Sequence, residues 1–590
     1  MKRQLLLIFT ALQLCVGTVW ADSFDDANAA YAQDDYSEAV RLYRLTAAQG
    51  SAQAQVILGW MYSKGQGVPK DDVKAVEWYR LAATQGNAHA QNSLGLKYDK
   101  GQGVTQDYTE AVKWYRLAAV QGNGTAQFNL GVSYDYGRGV PKDYVMAVEW
   151  YRKAAAQGLV SAQFNLGLMY SNGLGVPKDA EWDWDAAKAV VPEKELFEGR
   201  DFLSYADWNA AQDDVKAVEW YRLAATRGSA EAQVRLGWMF SNGQGVSKDD
   251  VKAAEWYRLA AAQGDASAQS ALGFMYGNGL GVPKDDVKAL EWYRLAATQG
   301  LAEAQYSLGV MYGKGQSVPK DEVKAVEWLQ KAAVQGNANA QFLLGLKYSL
   351  GHGVLKDDVK GVEWNQKAAS QGNADAQYLL GESYRLGIGM PKDDTKAAEW
   401  YLKAAIQEKA NAQFKIGGMY RLGKGVPKND TKAAGWFQKS AMLGNANAQS
   451  ALGFMYDNGL GVPKDDSKAV EWYQKAAIQG DAAAQYNLGA MYRLGNGVLK
   501  NDIMAVEWYQ KAAIQGLANA QGDLGVMYFK GQGVVRDLVL SYAWRNLAAS
   551  QGNELSIKVR DALESDLTSV ERAEGQRLAS KWKIGETIRR

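Results

Sequence analysis

The chain is 590 residues long, with 66 basic and 65 acidic residues and a formal net charge of +1. This balance excludes the strongly basic surface that neutralises phosphates, so no nucleic acid partner is expected. Hydrophobic residues make up 47% and aromatic residues 11% of the chain, which excludes a disordered protein. Only two histidines and one cysteine occur, which leaves little room for metal, thiol or imidazole chemistry, and no cofactor is expected.

Residues 1–21 have the order of a secretory signal peptide. Two basic residues follow the first methionine, an apolar run extends from Leu5 to Gly17, and Ala21 provides a small residue at the cleavage point. The run is shorter than the ~20 residues of a membrane-spanning helix. A lipoprotein anchor at Cys15 is the alternative, although the bulky Leu14 departs from the small residue such a site requires. We expect a periplasmic or secreted protein with no integral membrane segment after signal removal.

One pattern then repeats every 36 residues through most of the chain. The stretches from Val68 to Gly86 and from Val282 to Gly300 differ at a single position. Repetition at this length predicts a stacked array of similar units rather than several separate globular domains. One tryptophan per unit keeps the interval, with an interruption after position 150: Trp78, Trp114, Trp150, Trp220, Trp256, Trp292, Trp328, Trp364, Trp400, Trp436, Trp472, Trp508 and Trp544.

Each unit contains two amphipathic helical patterns, which we name A and B. In the first full unit, Ala54 and Leu58 lie on the apolar stripe of helix A, and Gly59 inside it predicts close approach of a neighbouring helix. Gly65 suits the left-handed end of helix A, and Asp71 suits the start of helix B. The tryptophan series lies on the apolar stripe of helix B, so we predict that it forms a buried structural spine.

The unit pattern A-x-A-Q-x-x-L-G-x-x-Y-x-x-G-x-G-V-x-x-D-x-x-K-A-x-x-W-Y-x-x-A-A-x-x-G resembles the Sel-one-like repeat (SLR) family, bacterial relatives of tetratricopeptide repeats. The resemblance covers the chain from Ala52 to Gly552. It implies an all-α fold, a right-handed α/α superhelical solenoid of about 14–16 antiparallel helix pairs with helices A on the concave side. It also implies protein–protein interaction, often in envelope, secretion or host-contact settings.

Three regions depart from the repeat, and the third of them, after Trp544, has a last helix A without its glycine followed by a capping helix. In the first, Leu42 stands in the place of tryptophan, as in a degenerate tetratricopeptide-like cap. In the second, between Asp179 and Asp213, nearly one unit of chain lacks the pattern, which favours a degenerate repeat; a bulging loop or a hinge is the alternative, and its aromatics make it a candidate partner site. The predicted organisation is signal peptide 1–21, cap 22–50, repeats 51–179, degenerate repeat or hinge 180–212, repeats 213–552 and C-terminal capping helices 553–590.

Single-residue departures predict weak points of the array. Glu408 replaces the glycine that ends helix B, where a left-handed backbone would be strained. Asn365 replaces the tyrosine after the tryptophan, and Gly361 and Gly435 lie inside helices B.

Candidate partner-binding positions are those that vary between units while the frame stays fixed. They stand two, five and nine residues after the glutamine of a recurring Ala-Gln pair, and such spacings share one face of helix A. By SLR geometry this face lines the concave groove, where it could hold a peptide; the alternative is that the middle row packs on the neighbouring repeat. The selected residues are Trp60, Lys64, Leu96, Asn129, Asn165, Arg235, Trp238, Phe274, Lys415, Phe454 and Asn487.

The other motifs have structural interpretations. Gly-x-Gly recurs in nearly every unit after a helix, which favours turns over a phosphate site, and the doubled acids at the starts of helices B favour capping. The leading hypothesis is therefore a non-enzymatic, monomeric scaffold that binds one or more proteins or peptides. The alternatives are an enzyme acting on cell wall or β-lactams and a polysaccharide-binding scaffold for exopolymer export. The family members credited with the former are rich in cysteine, and this chain has none after Ala21.

Overall fold

A computed structural model describes residues 23–176 and 205–588, with side chains after the gap described from residue 213. The predicted signal peptide lies outside these residues, as do residues 180–204 of segment 180–212. Every regular element in the described ranges is a helix, and no strand occurs in them. The all-α prediction with paired helices is confirmed.

The helices fall into two units. The first unit contains α1 (23–32), α2 (Tyr36–Ala48), α3 (Ala52–Lys64), α4 (Asp72–Thr84), α5 (Ala88–Lys100), α6 (Tyr108–Val120), α7 (Gly124–Tyr136), α8 (Tyr144–Ala156), α9 (Val160–Ser171), α10 (Tyr205–Thr226), α11 (Ala230–Asn242), α12 (Asp250–Ala262), α13 (Ala266–Asn278) and α14 (Asp286–Thr298).

The second unit begins at Ala302. It contains α15 (Ala302–Lys314), α16 (Glu322–Val334), α17 (Ala338–Leu350), α18 (Asp358–Ser370), α19 (Ala374–Leu386), α20 (Asp394–Ile406), α21 (Ala410–Leu422), α22 (Asp430–Met442), α23 (Ala446–Asn458), α24 (Asp466–Ile478), α25 (Ala482–Leu494), α26 (Asp502–Ile514), α27 (Ala518–Lys530), α28 (Leu538–Ser550), α29 (Glu554–Leu563) and α30 (Ser569–Lys581). Odd-numbered helices are helices A and even-numbered helices are helices B.

Local sequence fixes the ends of the helices. Asp71 caps α4 by accepting from the backbone N–H of Lys74, and Asn87 caps α5 in the same way. Gly65 ends α3 with φ 74°, a left-handed conformation that glycine adopts at little cost. Glu408 holds a similar conformation with φ 61°, so the strained position predicted from the sequence is confirmed.

The glycine inside each helix A makes the close approach that the sequence predicts. A Cβ atom on Gly59 would lie 2.6 Å from the ring of Tyr79 on the following helix B. The same glycine–tyrosine contact occurs between α7 and α8, where a Cβ atom on Gly131 would lie 2.7 Å from the ring of Tyr151. The two helices of a pair therefore pack with the tyrosine ring directly against the helix A backbone.

The predicted tryptophan spine is wrong about which ring is buried. Ten of the thirteen tryptophans are partly exposed, and only Trp150, Trp508 and Trp544 are buried. The residue after the tryptophan is buried in twelve of the thirteen repeats, Tyr293 being half-buried, and Tyr79 and Tyr115 are 4% and 2% exposed after half-buried tryptophans. One residue along a helix turns the side chain by about 100°, so the tyrosine points at the glycine while the tryptophan covers the edge of the core.

The recurring glutamine of each helix A is buried and links three successive helices. Gln91 Nε2 donates to the carbonyl of Ala83 at 3.1 Å, and its Oε1 accepts from Gln121 Nε2 at 2.7 Å. The same pair of bonds recurs from Gln55 to Gln521 wherever helix B ends in glutamine. We call this set of bonds the glutamine ladder.

The ladder is interrupted once in each unit. Arg227 and Leu443 replace the glutamine at the end of α10 and α22, and the Oε1 atoms of Gln163 and Gln413 are then buried with no hydrogen-bond partner among the residues that the structure describes. Each complete step of the ladder therefore needs two glutamines, the buried one in helix A and a second one at the end of the following helix B.

The helices on either side of the gap in the described residues pack as one pair. A Cβ atom on Gly167 of α9 would lie 2.5 Å from the ring of Tyr221 on α10, as in an ordinary repeat. Helices α9 and α10 thus pack against each other as a pair in the same way as α7 and α8. Of the segment 180–212 predicted as a degenerate repeat or hinge, residues 180–204 lie outside the described ranges, and residues 205–212 belong to α10.

The last helices close the second unit with an aromatic contact. Trp582, which follows α30, meets the buried Trp544 of α28 edge-on, with ring centroids 6.4 Å apart. A Cβ atom on Gly575 of α30 would lie 2.8 Å from Tyr542, so α30 packs on α28 through the same kind of glycine–tyrosine contact that joins the repeats.

Candidate partner-binding face

The surface of interest is formed by the second, fifth and ninth residues after the buried glutamine of helices A. We call it the A-face. All eleven residues selected from the sequence lie on it, and none of them is buried. Trp60, Lys64, Arg235, Trp238 and Phe274 are exposed. The half-buried ones are Leu96, Asn129, Asn165, Lys415, Phe454 and Asn487.

The first unit presents large aromatic side chains on this face. Trp60, Trp238 and Phe274 are 38%, 46% and 54% exposed, and Tyr136 is 64% exposed. Trp60 also contacts Tyr31 edge-on at 6.3 Å between ring centroids. Exposed aromatics of this size have a large apolar surface left to bury, which is typical of binding sites.

Side chains of neighbouring helices A touch across the A-face. Asn129 Nδ2 donates to Asn92 Oδ1 at 3.0 Å in the first unit. In the second unit, Lys415 Nζ lies 2.9 Å from Glu382 Oε1, and this carboxylate also binds Arg385. The A-faces of adjacent repeats therefore form continuous surfaces within each unit.

Buried tyrosine hydroxyls form the floor beneath the A-face. The hydroxyl of Tyr151 donates to Asp135 Oδ2 at 3.2 Å, and that of Tyr509 accepts from Arg493 Nε at 3.1 Å. Burial raises the pKa of Tyr257 to about 12, and the pKa values of the other buried tyrosines shift in the same direction. These hydroxyls are therefore neutral hydrogen-bonding groups at ordinary pH.

The second unit has a different set of residues on and beside the A-face. Leucine occupies the last position of four helices A, and arginine precedes three of those leucines. Arg421 lies over the ring of Phe454 at 4.6 Å. The surface on and beside the A-face is thus more apolar and more basic at the ends of these helices in the second unit than in the first.

Three buried or half-buried cations were missed by the sequence interpretation. Lys97 takes the place of a core methionine and binds Asp72 Oδ1 at 2.6 Å, which lowers the pKa of that carboxyl group. Lys347 pairs with Glu322 in the same way. Arg545 replaces the buried tyrosine of helix B and is 3% exposed. The sequence could have revealed these cations, because each of them stands at a position where the residue departs from the repeat pattern.

The titratable residues are not arranged for metal chemistry in the part of the chain that the structure describes. No group of three or more histidine, cysteine, aspartate or glutamate side chains there could hold a metal ion. His89 and His352 are exposed, as the sequence predicts. None of the described helices has both the length and the apolar character needed to span a membrane.

Comparison with known proteins places the repeats in a family. The Sel1 repeat model matches fifteen segments: 31–51, 52–87, 88–123, 124–159, 160–181, 203–229, 230–265, 266–301, 302–337, 338–373, 374–408, 410–445, 446–481, 482–517 and 518–553. The comparison with curated proteins finds none that matches.

Two solved structures show the same likeness. A protective antigen present in uropathogenic Escherichia coli strains, which displays an SLR fold, is 34% identical over 86% of this chain and 94% of its own, with a TM-score of 0.59. A Sel1 repeat protein from Oxalobacter formigenes is also 34% identical, over 59% of this chain and 93% of its own, with a TM-score of 0.41.

Proposed function

Because the chain belongs to the Sel1 repeat family, whose members serve as scaffolds, we propose that it is an exported, non-enzymatic adaptor that binds partner proteins through its A-faces. The observation that carries the proposal is the contrast within each repeat. The same residue types recur at the buried positions of successive repeats. The A-face instead exposes Trp60, Trp238 and Phe274, whose side chains do not fill the core. Large exposed aromatics over a rigid frame suit protein recognition.

Export is supported by the first 21 residues and by one relative. The basic start, short apolar run and Ala21 have the order of a signal peptide. A related protein described as a protective antigen is consistent with an exported location. Fractionation of cells producing the full chain and a chain lacking residues 2–21 tests this part; retention of both in the cytoplasm would contradict it.

Site-directed photocrosslinking tests the binding face. A photoreactive phenylalanine analogue replaces Trp238 in the mature protein, and the matched control carries it at Leu259, which is 51% exposed on helix α12. Crosslinks to partner proteins in envelope extracts are expected from position 238 and not from position 259. Equal crosslinking from both positions, or none from either, would contradict a binding role for the A-face.

Polysaccharide binding is a second candidate, favoured by the same exposed rings, because aromatic side chains stack on sugars. Calorimetric titration of the mature protein with neutral oligosaccharides distinguishes the two. Saturable heat that is lost in Trp238→Ser and Phe274→Ser would favour a sugar ligand over a protein partner.

A further inference from the structure

The second unit carries a row of exposed leucines where the first unit has polar or aromatic residues. Leu350, Leu386, Leu422 and Leu494 each end a helix A and are 59%, 50%, 64% and 58% exposed. We call these four residues the leucine row. At the same position the first unit has lysine, asparagine or tyrosine. Four exposed leucines at one recurring position form an apolar edge that gains stability when it is covered.

A row of arginines lies beside the leucines. Arg385, Arg421 and Arg493 each precede a residue of the leucine row. The first unit has serine, aspartate or glycine at this position, and in the second unit Asp457, followed by Asn458, stands in the repeat between Arg421 and Arg493. In three repeats the second unit therefore has a basic side chain next to an apolar residue of its A-face. Such a pattern is complementary to a partner with apolar and acidic side chains.

Two of these arginines form no ion pair within the described part of the chain, although the carboxylate of Asp523 acts on Arg493 through space. Arg421 lies over the ring of Phe454 at 4.6 Å, and Arg493 donates to the neutral hydroxyl of Tyr509 at 3.1 Å. Only Arg385 of the three forms an ion pair among the described residues, with Glu382 at 2.5 Å. The charges of Arg421 and Arg493 remain available to an incoming carboxylate.

A further cation lies beneath the same face. Arg545 is 3% exposed, and its Nε atom is buried without a hydrogen-bond partner among the described residues. Its side chain packs under Gly525, where the other repeats place a tyrosine. The carboxylate of Asp523 acts on the Arg545 guanidinium through its charge, and it also accepts a hydrogen bond from the hydroxyl of Tyr486 at 3.1 Å. At 3% exposure this guanidinium makes no contact outside the chain, so it contributes a positive charge beneath the face.

We propose that the A-face of the second unit binds an acidic amphipathic segment of a partner protein. Its apolar side chains cover the leucine row, and its carboxylates lie at Arg421 and Arg493, above the charge of the buried Arg545. This inference rests on the proposed function and adds the chemistry of the partner. The first unit, which lacks the leucine and arginine rows, does not share this preference.

Three labelled 20-residue peptides test the preference against the mature chain, residues 22–590, by fluorescence anisotropy. The first contains glutamate and leucine in an amphipathic pattern, the second replaces leucine with serine, and the third replaces glutamate with lysine. The first peptide is expected to bind at least about tenfold more tightly than either of the others, and more weakly as salt rises. Equal affinity for all three would overturn the proposal.

Variants place the binding on the second unit. Leu422→Ser with Leu494→Ser, Arg421→Gln with Arg493→Gln, and Arg545→Tyr are each expected to weaken binding of the first peptide by about three- to tenfold. Arg545→Tyr restores the residue of the other repeats, so the fold is retained, which thermal unfolding followed by circular dichroism verifies. The matched control is Leu81→Ser with Leu259→Ser on helices B, at 49% and 51% exposure, and it is expected to leave binding unchanged.

The outcomes separate this inference from the proposed function. Unchanged peptide binding in the variants with arginine replacements would overturn the proposal even if the Trp238 crosslinks capture partners. Failure of both experiments would overturn the proposed function as well.

Discussion

The buried interior of the repeats and the A-face differ in how much they vary along one chain. Inside, the glycine of helix A meets a tyrosine in most repeats, and the glutamine ladder is formed wherever both glutamines are present. On the A-face, the fifth position after the glutamine is tryptophan in one repeat, Glu382 in another and Gly418 in a third. Each interior must fit an almost identical neighbour, whereas the side chains of the A-face lie at the surface and are at most half-buried by the next repeat.

This difference predicts that the interior residues determine the stability of the fold and that the A-face residues determine partner binding. Changes in the interior are expected to alter the free energy of unfolding, because they disturb the contacts that stack one repeat on the next. Changes on the A-face are expected to alter partner binding with little effect on stability. The following predictions test this separation.

Acid is expected to have the largest effect, since it acts on many helix caps at once. Backbone N–H donors at helix starts lower the pKa of cap carboxyl groups such as Asp71 and Asp285. A lowered folded-state pKa stabilises the fold above the ordinary value of about 4. That contribution is lost as pH falls through the lowered pKa. Urea unfolding at pH 7 and pH 3 should show a clear loss of stability.

A variant with asparagine caps provides the control for acid. Asn429 and Asn501 already cap α22 and α26. Replacement of six aspartates with asparagine should therefore retain the caps while making stability less dependent on pH; an unchanged pH dependence would contradict the assignment. The six positions are Asp71, Asp249, Asp285, Asp321, Asp357 and Asp465.

Truncation of a buried ring should cost far more than truncation of an exposed one. Phe437 on α22 is 2% exposed, and Phe274 on the A-face is 54% exposed. Phe437→Ala is expected to destabilise the chain by about 3–5 kcal/mol because it leaves a cavity. Phe274→Ala should cost less than about 1 kcal/mol. Chemical unfolding of both variants measures the difference, and similar losses would contradict the separation.

Two adjacent glycines in α21 should respond in opposite directions to the same change. A Cβ atom on Gly417 would lie 2.8 Å from the ring of Phe437, and one on Gly418 would meet nothing within 4 Å. Gly417→Ala is expected to destabilise by about 2 kcal/mol through overpacking. Gly418→Ala should stabilise by about 0.5–1 kcal/mol because alanine restricts the unfolded chain. Thermal melts of the two variants should shift in opposite directions.

The glutamine ladder should contribute more where it is complete. Gln485→Leu removes a bond to the carbonyl of Ala477 at 3.0 Å and a bond from Gln515 at 2.8 Å, so a loss of about 2 kcal/mol is expected. Gln413→Leu removes only the bond to Ala405, because Leu443 donates nothing. Its loss should be about half as large, and equal losses would argue against the ladder.

Repair of the ladder should give the smallest effect. Leu443→Gln supplies a donor for the buried Oε1 of Gln413 and is expected to stabilise by about 1 kcal/mol. Arg227→Gln should gain less, since it also removes the bond from Arg227 to the carbonyl of Gly158 at 3.2 Å. Differential scanning calorimetry on the two variants checks both the sign and the order.

Much of the fold followed from periodicity alone. The 36-residue interval, the glycine inside helix A and the cap residues predicted the helix pairs and their ends, because these signals are local. The glutamine was visible as a marker, but its bonds were not, since Gln91 and Gln121 are 30 residues apart and meet only after the helices stack.

What the sequence determined by itself was the repeat, the helix pairs and the position of the A-face, since these depend on spacing along the chain. Only the tertiary structure decided that Tyr115, rather than the tryptophan before it, lies inside the core, and that Arg545 is buried beneath the A-face. Burial depends on the rotation of each helix against its neighbours. A stripe of apolar residues in the sequence defines that rotation only to within about one residue position. The exact rotation is set by the contact between the aromatic ring of helix B and the glycine backbone of helix A.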